Sequence, residues 1–347
     1  MNIALVHRRF TEHGGTERFL VGLARHLLGQ GHVVHVYCNE VRSDLRELPL
    51  HFHHLPMVKL GQAAKVLSLW QASAAIDPGR HEVVFGFGRT IGHDLFRSGG
   101  GAHQAFLEAC RPGWTWRPFD RLETQLDRRA VLSAKAVVTP SRVAAEDLKR
   151  CYGLPEERVR VVHNGVDSER FRPDAEARQA VRERLQLEGP VLGFLGTGFV
   201  RKGLEQAAEV ARELGLPLVV LGQDSQLARW ERRFPDLRFL GPVRAPERVL
   251  PALDVMLLPT RYEPYGNACL EAMACGVVPV TTPHNGVSEV FPVEGLTGTS
   301  TPELVEAVER ALQGGEELAR RCREAAVALP RGRAYAALES LMLETRR

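Results

Sequence analysis

Glu263 and Glu271 stand eight positions apart in the segment Glu263-Pro264-Tyr265-Gly266-Asn267-Ala268-Cys269-Leu270-Glu271. The first acid falls in a loop after the apolar run at 255–258. The second falls about one turn inside the helix predicted over 268–274. Between them Gly266 turns the chain and exposes the first amides, from Asn267 onward. Free N–H groups at the positive end of a helix attract an anion. A diphosphate held there would lie between the two carboxylates. Glu271 could then accept from a ribose diol, and Glu263 from sugar hydroxyls on the opposite side. A capping acid and a solvated acid would also give two glutamates. Loop, glycine, helix start and spacing together favour the ligand site.

A second cluster, Gly196-Thr197-Gly198-Phe199-Val200-Arg201-Lys202-Gly203, directly follows the apolar run 191–195. It is not a P-loop, because its lysine precedes the glycine. Arg201 and Lys202 stand where a strand ends and could neutralise a diphosphate leaving group. A third cluster, His13-Gly14-Gly15-Thr16, separates the first strand from the first helix, and paired glycines let backbone approach a ligand closely. A fourth runs from Gly86 through Gly88, Gly92, His93 and Asp94 to Gly99-Gly100-Gly101-Ala102-His103. Its third glycine comes one place late for a dinucleotide fingerprint, which argues against a nicotinamide cofactor. Asp94 could orient or deprotonate an acceptor hydroxyl. His93 and His103 are further candidates, although a lone histidine is more often structural. No Asp-x-Asp pair occurs, so charge neutralisation is expected from Arg201, Lys202 and helix amides without a metal. His51-Phe52-His53-His54 has the look of a metal tract, but its strand-like setting favours a structural or acceptor-side role over zinc.

The elements that must position these residues alternate. Strands are predicted at 3–6, 33–37, 83–87, 136–139, 159–162, 191–195, 218–221, 255–258 and 277–281. Helices are predicted at 16–28, after Ser141, and at 204–214, 268–274, 302–312, 316–328 and 334–344. Strands alternating with helices imply parallel sheets covered on both faces. The pattern restarts near Val191 after a polar stretch. The expectation is an α/β protein of two facing Rossmann-like, doubly wound domains with an interdomain cleft: 1–167, 168–330, and a last helix at 331–347 crossing back. Ligands of such sheets bind at the carboxyl ends of the strands.

The 347 residues suit two domains. Apolar content of 44% and charge of 25% are those of a globular protein. No apolar run approaches the length of a membrane span, and no secretory leader is read at the start. The six cysteines form no C-x-x-C pair, which points to reduced thiols in a cytoplasmic protein. A net charge of +3 gives no argument for nucleic acid. Residues 1–165 nevertheless carry 22 Lys and Arg against 16 Asp and Glu. That excess suits an anionic acceptor or the cytoplasmic face of the inner membrane.

The 263–271 segment resembles the E-x7-E signature of retaining glycosyltransferases of family four, and Ala272-Met273-Ala274-Cys275-Gly276-Val277-Val278-Pro279-Val280 is similar to that family's usual continuation. The resemblance implies the GT-B fold and a metal-independent retaining hexosyltransferase that needs no cofactor beyond its nucleotide-sugar donor, UDP-glucose favoured. It implies catalytic roles for Glu263, Asp94, Arg201 and Lys202. Donor contacts would come from Gly14, Gly15, Gly196, Arg201, Lys202, Val243, Tyr265, Gly266, Asn267, Ala268 and Glu271. Acceptor contacts would come from His13, His93 and His103. The Asp94 stretch resembles the acceptor side of lipopolysaccharide-core glucosyltransferases, which implies a lipopolysaccharide-core or other glycan acceptor. A GT-B nucleotide-sugar epimerase and a non-catalytic sugar-nucleotide-binding protein are the alternatives.

Overall fold

Strand β1 (Asn2–Val6) is buried at four of its five positions. Such a continuous apolar run marks a strand covered on both faces. It is followed by β2 (Val33–Cys38), β3 (His51–His54), β4 (Val83–Phe87), β5 (Leu95–Arg97), β6 (Ala136–Thr139) and β7 (Val159–Val161). All pair in parallel, in the order β3-β2-β1-β4-β5-β6-β7. The order reverses between β1 and β4, the point at which doubly wound sheets take ligands. The computed structural model describes residues 1–12, 14–111 and 113–347.

The first helix, Gly15–Gly29, buries Leu20, Val21, Leu23, Ala24 and Leu27 against this sheet. The last helix, Arg331–Thr345, returns to the same core with Tyr335, Leu338 and Met342. The two helices meet at Gly22, where a Cβ would stand 2.1 Å from the Tyr335 hydroxyl. Residues Met1–His163 and Gly332–Arg347 therefore form one unit, and Asn164–Arg331 the other.

The second unit repeats the design with β8 (Leu192–Thr197), β9 (Leu218–Gln223), β10 (Arg238–Gly241), β11 (Val255–Leu258) and β12 (Val278–Thr281). The parallel order is β10-β9-β8-β11-β12, with its reversal between β8 and β11. Here β8 and β9 approach so closely that a Cβ on Gly222 would lie 1.8 Å from the Gly196 carbonyl oxygen. In the first unit Ser141 caps the helix Arg142–Tyr152 through the Ala144 amide at 3.0 Å. The helix Thr301–Val327 breaks at Gly315 (φ 52°), between the two helices expected there.

The sequence pattern missed β5 and β10. Three residues are too few to show a period, and β10 is a half-exposed edge strand. The histidine tract is the edge strand β3. Among the described residues no group of three or more His, Cys, Asp or Glu is arranged to hold a metal. No helix among them is long and apolar enough to cross a membrane.

Candidate functional site

Strand β8 runs into Gly198 (φ 72°) and a short helical turn, Phe199–Lys202, closed by Gly203 (φ 80°). A Cβ on Gly203 would lie 2.0 Å from the Pro259 carbonyl oxygen, so this turn is pressed against the loop leaving β11. Backbone and hydroxyl bonds fix the contact. The Arg201 carbonyl accepts from the Arg261 amide at 2.9 Å and from Thr260 Oγ1 at 3.1 Å. Thr282 Oγ1, beyond β12, donates to the Thr260 carbonyl at 2.7 Å.

That arrangement aims two cations at one acid. Arg201 Nη1 donates to Glu263 Oε2 at 2.7 Å, and Lys202 Nζ donates to the same oxygen. Arg201 also donates to the Tyr262 carbonyl at 3.0 Å. Lys202 is buried, and its stem runs over Gly196, where a Cβ would come within 3.1 Å of it. Burial alone would raise the Glu263 pKa. The charges of Lys202 and Arg201 outweigh it and bring the carboxyl down to about 2. Glu263 is thus an anion at neutral pH.

The loop from Glu263 to Gly266 is pinned to the segment after β12. The Glu263 amide donates to the His284 carbonyl at 3.1 Å, and the Gly286 amide donates to the Glu263 carbonyl at 3.0 Å. Gly266 (φ 78°) caps the helix Asn267–Ala274, and a Cβ there would lie 2.2 Å from Asn285 Oδ1. Asn285 is fully buried and donates to Thr281 Oγ1 at 2.9 Å. Cys269 is the first amide of the helix to bond back, to the Gly266 carbonyl at 3.0 Å. The amides of Asn267 and Ala268 remain for an outside acceptor. Asn164 holds this start from the other side. Its Nδ2 donates to Asn267 Oδ1 at 2.9 Å, and its carbonyl accepts from the buried Tyr265 hydroxyl at 2.9 Å.

Glu271 is 8% exposed in the same helix. Burial pushes the Cys269 thiol up to about 12, against the pull of Lys202 and with the added push of Glu263 and Glu271. Both carboxylates and the lysine therefore lie within electrostatic reach of one thiol. The structure brings Gly196, Arg201, Lys202, Glu263, Gly266, Asn267 and Glu271 into one neighbourhood, with Tyr265 and Ala268 between them. Val243 lies in the loop after β10, half-buried against the apolar core.

The residues expected in the first unit fare differently. His13 lies outside the described residues. Gly14 (φ 104°) caps the first helix, which Gly15 opens, and a Cβ on Gly14 would stand 2.4 Å from Glu17 Oε2. The glycine thus makes room for a carboxylate that the sequence reading missed. Glu17 accepts from Arg9 at 3.0 Å and lies 3.9 Å from His7 Nε2. Burial raises its pKa, but His7 and Arg9 more than reverse this and leave it at about 2. His7 Nδ1 donates to the Phe87 carbonyl at 2.9 Å, joining the ends of β1 and β4.

Asp94 is not with them. It precedes β5 at the amino ends of the strands, 1% exposed. It accepts from the Val84 amide at 2.9 Å and from Arg347 Nε at 2.9 Å, and Lys135 Nζ is 3.0 Å away. These partners make Asp94 a structural anchor and correct its expected catalytic role. His93 is corrected likewise. Its buried ring stacks on Phe96 at 5.7 Å and covers Gly86, and burial lowers its pKa to about 3. His103 does stand beyond the carboxyl end of β5. Its Nδ1 accepts from Arg89 at 2.9 Å, and its Nε2 is 3.5 Å from Glu123. Burial first, then Arg89 and Arg111, lower its pKa to about 3, so it is neutral.

Two family descriptions match this chain: Glycosyltransferase Family 4 over residues 13–170, and Glycosyl transferases group 1 over residues 189–314. Two Rossmann-like units, each with a parallel sheet that reverses beside its first strand, define a glycosyltransferase of the GT-B class. Within that class residues 13–170 match the family 4 description and residues 189–314 the group 1 description.

A probable transglycosylase of Burkholderia thailandensis is 29% identical over 294 residues, 82% of this chain and 78% of that protein. The D-inositol 3-phosphate glycosyltransferase of Xylanimonas cellulosilytica is 33% identical over 184 residues, 47% of this chain and 44% of that protein. Among solved structures, WaaG, a glycosyltransferase involved in lipopolysaccharide biosynthesis, superposes with a TM-score of 0.80 at 18% identity over 98% of this chain and 99% of WaaG. HepE of Anabaena, in complex with UDP and glucose, superposes with a TM-score of 0.73 at 16% identity over 99% and 100%. At these identities the two structures share the fold.

Proposed function

We propose that this glycosyltransferase moves a hexosyl group from a nucleoside-diphosphate sugar, UDP-glucose first, to a glycan acceptor, retaining the anomeric configuration and using no metal. One observation carries the reading: Arg201 and Lys202 converge on Glu263 beside the free amides of Asn267 and Ala268. As the bond from the sugar to the diphosphate breaks, negative charge grows on the leaving oxygen. Arg201, Lys202 and the two amides are fixed beforehand in a buried setting, where such groups stabilise developing charge most. Glu263 accepts from the sugar hydroxyls, and Glu271 from the ribose diol. Gly196 lets backbone come close to the donor. The acceptor hydroxyl attacks on the face the diphosphate leaves.

The UDP and glucose held by HepE support this donor, and the pathway of WaaG supports a lipopolysaccharide-core or related glycolipid acceptor. His103, braced by Arg89, is the acceptor-side histidine that this reading retains. Trp116 and Leu60, 88% and 82% exposed in a unit of positive charge excess, support peripheral contact with the cytoplasmic face of a membrane.

Thermal shifts with UDP-, GDP- and ADP-glucose in EDTA test the donor, and NMR of the product tests the stereochemistry. UDP-glucose should stabilise most, by about 2.7 kcal/mol at a hundredfold excess over its dissociation constant. An inverted product, or turnover that EDTA abolishes, overturns the assignment.

A further inference from the structure

A cavity of about 830 Å³ lies wholly within the second unit, at the amino ends of its strands and away from the carboxyl ends that carry the donor cluster. Such a volume suits a small organic molecule, for which pockets run to roughly 300–1,000 Å³. Pro190 lines it before β8, Leu253 and Asp254 before β11, and Cys275 and Gly276 before β12. Arg178 enters from the helix Ala175–Leu185. The helix Thr301–Val327 closes another side. Its break at Gly315 (φ 52°, ψ −144°) uses backbone open to glycine, and both halves line the cavity, with Ala311 and Leu312 before the break and Ala319 and Arg323 after it.

The walls are mostly apolar, but one charge set into them is unmatched. Asp254 is shared by two guanidiniums, Arg178 at 2.7 Å and Arg182 at 3.2 Å. Arg320 holds two acids of its own helix, Glu317 and Glu324. Asp174 and Glu316 are exposed at the rim, and Asp174 accepts from the Ala177 amide at 2.9 Å. Arg323 is half-buried and has no acid partner among the described residues. Its one bond there runs from Nη1 to the Ala274 carbonyl at 2.5 Å. That carbonyl ends the helix Asn267–Ala274, whose first amides form the anion site and which carries Glu271. The helix has 8 residues and so spans about 12 Å. Arg323 thus stands at the negative end of the helix whose positive end faces the donor. One short rigid element touches both places.

We propose that this cavity is an effector site for a small amphiphilic anion, an apolar body bearing one carboxylate, and that filling it weakens donor binding. The body lies against Pro173, Pro190, Pro251, Leu253 and Val278. The carboxylate accepts from the Arg323 guanidinium in the paired geometry that the two groups favour, and draws it off the Ala274 carbonyl. The helix then loses the cation at its carboxyl end. Its first amides are held less firmly, and the diphosphate is gripped less well. The cavity site stands without the transferase reading; its effect on the donor rests on that reading.

Calorimetric titration of the full chain with octanoate, octanol, octylamine and acetate tests the site. Octanoate should bind about tenfold or more tightly than octanol, and acetate, which lacks the body, should not bind measurably. Saturating octanoate should weaken UDP binding by about fivefold or more, and UDP should weaken octanoate by the same factor. Arg323→Met should lose the preference for octanoate over octanol and bind UDP as weakly as the octanoate-filled parent. Ala319→Trp, which fills the cavity, should bind no octanoate and bind UDP as the parent does. Octanol or octylamine binding as tightly as octanoate overturns the proposal, and so does a UDP affinity that octanoate leaves unchanged. Octanoate that still weakens UDP binding in Ala319→Trp acts elsewhere and overturns it too. A parent protein that binds octanoate through Arg323 but neither UDP nor UDP-glucose sinks the donor reading instead and leaves the cavity site standing.

Discussion

The two units share a strand order and a switch point but handle charge in opposite ways. In the second unit the reversal between β8 and β11 is filled by a closed trio: Glu263 holds both Arg201 and Lys202. In the first, the reversal between β1 and β4 leaves a cavity with Arg8 and Lys65 unmatched and Glu17 matched by Arg9. The same scaffold therefore supports an array whose two cations share one acid and an array whose cations have none. The shared array is held in place, because Arg201 and Glu263 bond to backbone of neighbouring loops and Lys202 bonds to Glu263. The other leaves charge to be satisfied from outside.

The sharpest way to break the comparison is Glu263→Ala. It leaves Lys202 buried beside Arg201 with no anion, so unfolding free energy should fall by about 3–5 kcal/mol, and turnover should fall by about 10²–10³-fold. Chemical denaturation and rate measurements check both; a variant as stable as the parent would mean the trio is not structural. Gly266→Ala comes next. Its positive φ and the collision with Asn285 should cost about 1–3 kcal/mol and weaken UDP binding. Gly31→Ala is its control in the first unit, at the same φ of 78° with nothing within 4 Å of a Cβ. It should cost less than Gly266→Ala and leave UDP binding alone.

Asp94→Asn should cost about 1–3 kcal/mol through weakened bonds to Lys135 and Arg347, with the rate per folded molecule unchanged. A large rate loss at unaltered stability would return Asp94 to the chemistry. The smallest effect concerns acid. Burial, then His81, His51 and His53, lower the His35 pKa from 6.5 to about 4. The unfolded chain therefore binds this proton first. The stability tied to a neutral His35 is whole above pH 6.5 and drains away as pH falls toward 4. Glu17 and Glu263 hold their charge until about pH 2. The first unit should thus weaken before the second as pH falls, and His35→Gln should flatten that slope in denaturation followed against pH.

The donor-side cluster was legible because its parts are local: two acids, a glycine and a helix start lie within nine residues, and the basic turn directly follows a strand. The order of apolar runs likewise marked the strands of both sheets except β5 and β10. Glu17 and Asn285 carried no local signal. Their surroundings are assembled from separate crossovers, as when His7 meets the Phe87 carbonyl. Asp94 misled for a topological reason. It follows a glycine-rich turn after β4, but the chain doubles back before β5 and delivers the residue to the amino ends, against Val84. His93 travels with it into the core.

The first unit is not contiguous in the chain. Tyr335, Leu338 and Met342 complete its core, yet the ribosome reaches them only after all of the second unit has been made. A nascent chain stopped at residue 331 would hold every residue of the second unit, while the first still showed a bare apolar stripe along Leu20, Leu23 and Leu27. The part made first is therefore the part finished last, and it is the part that would need a chaperone's cover during synthesis.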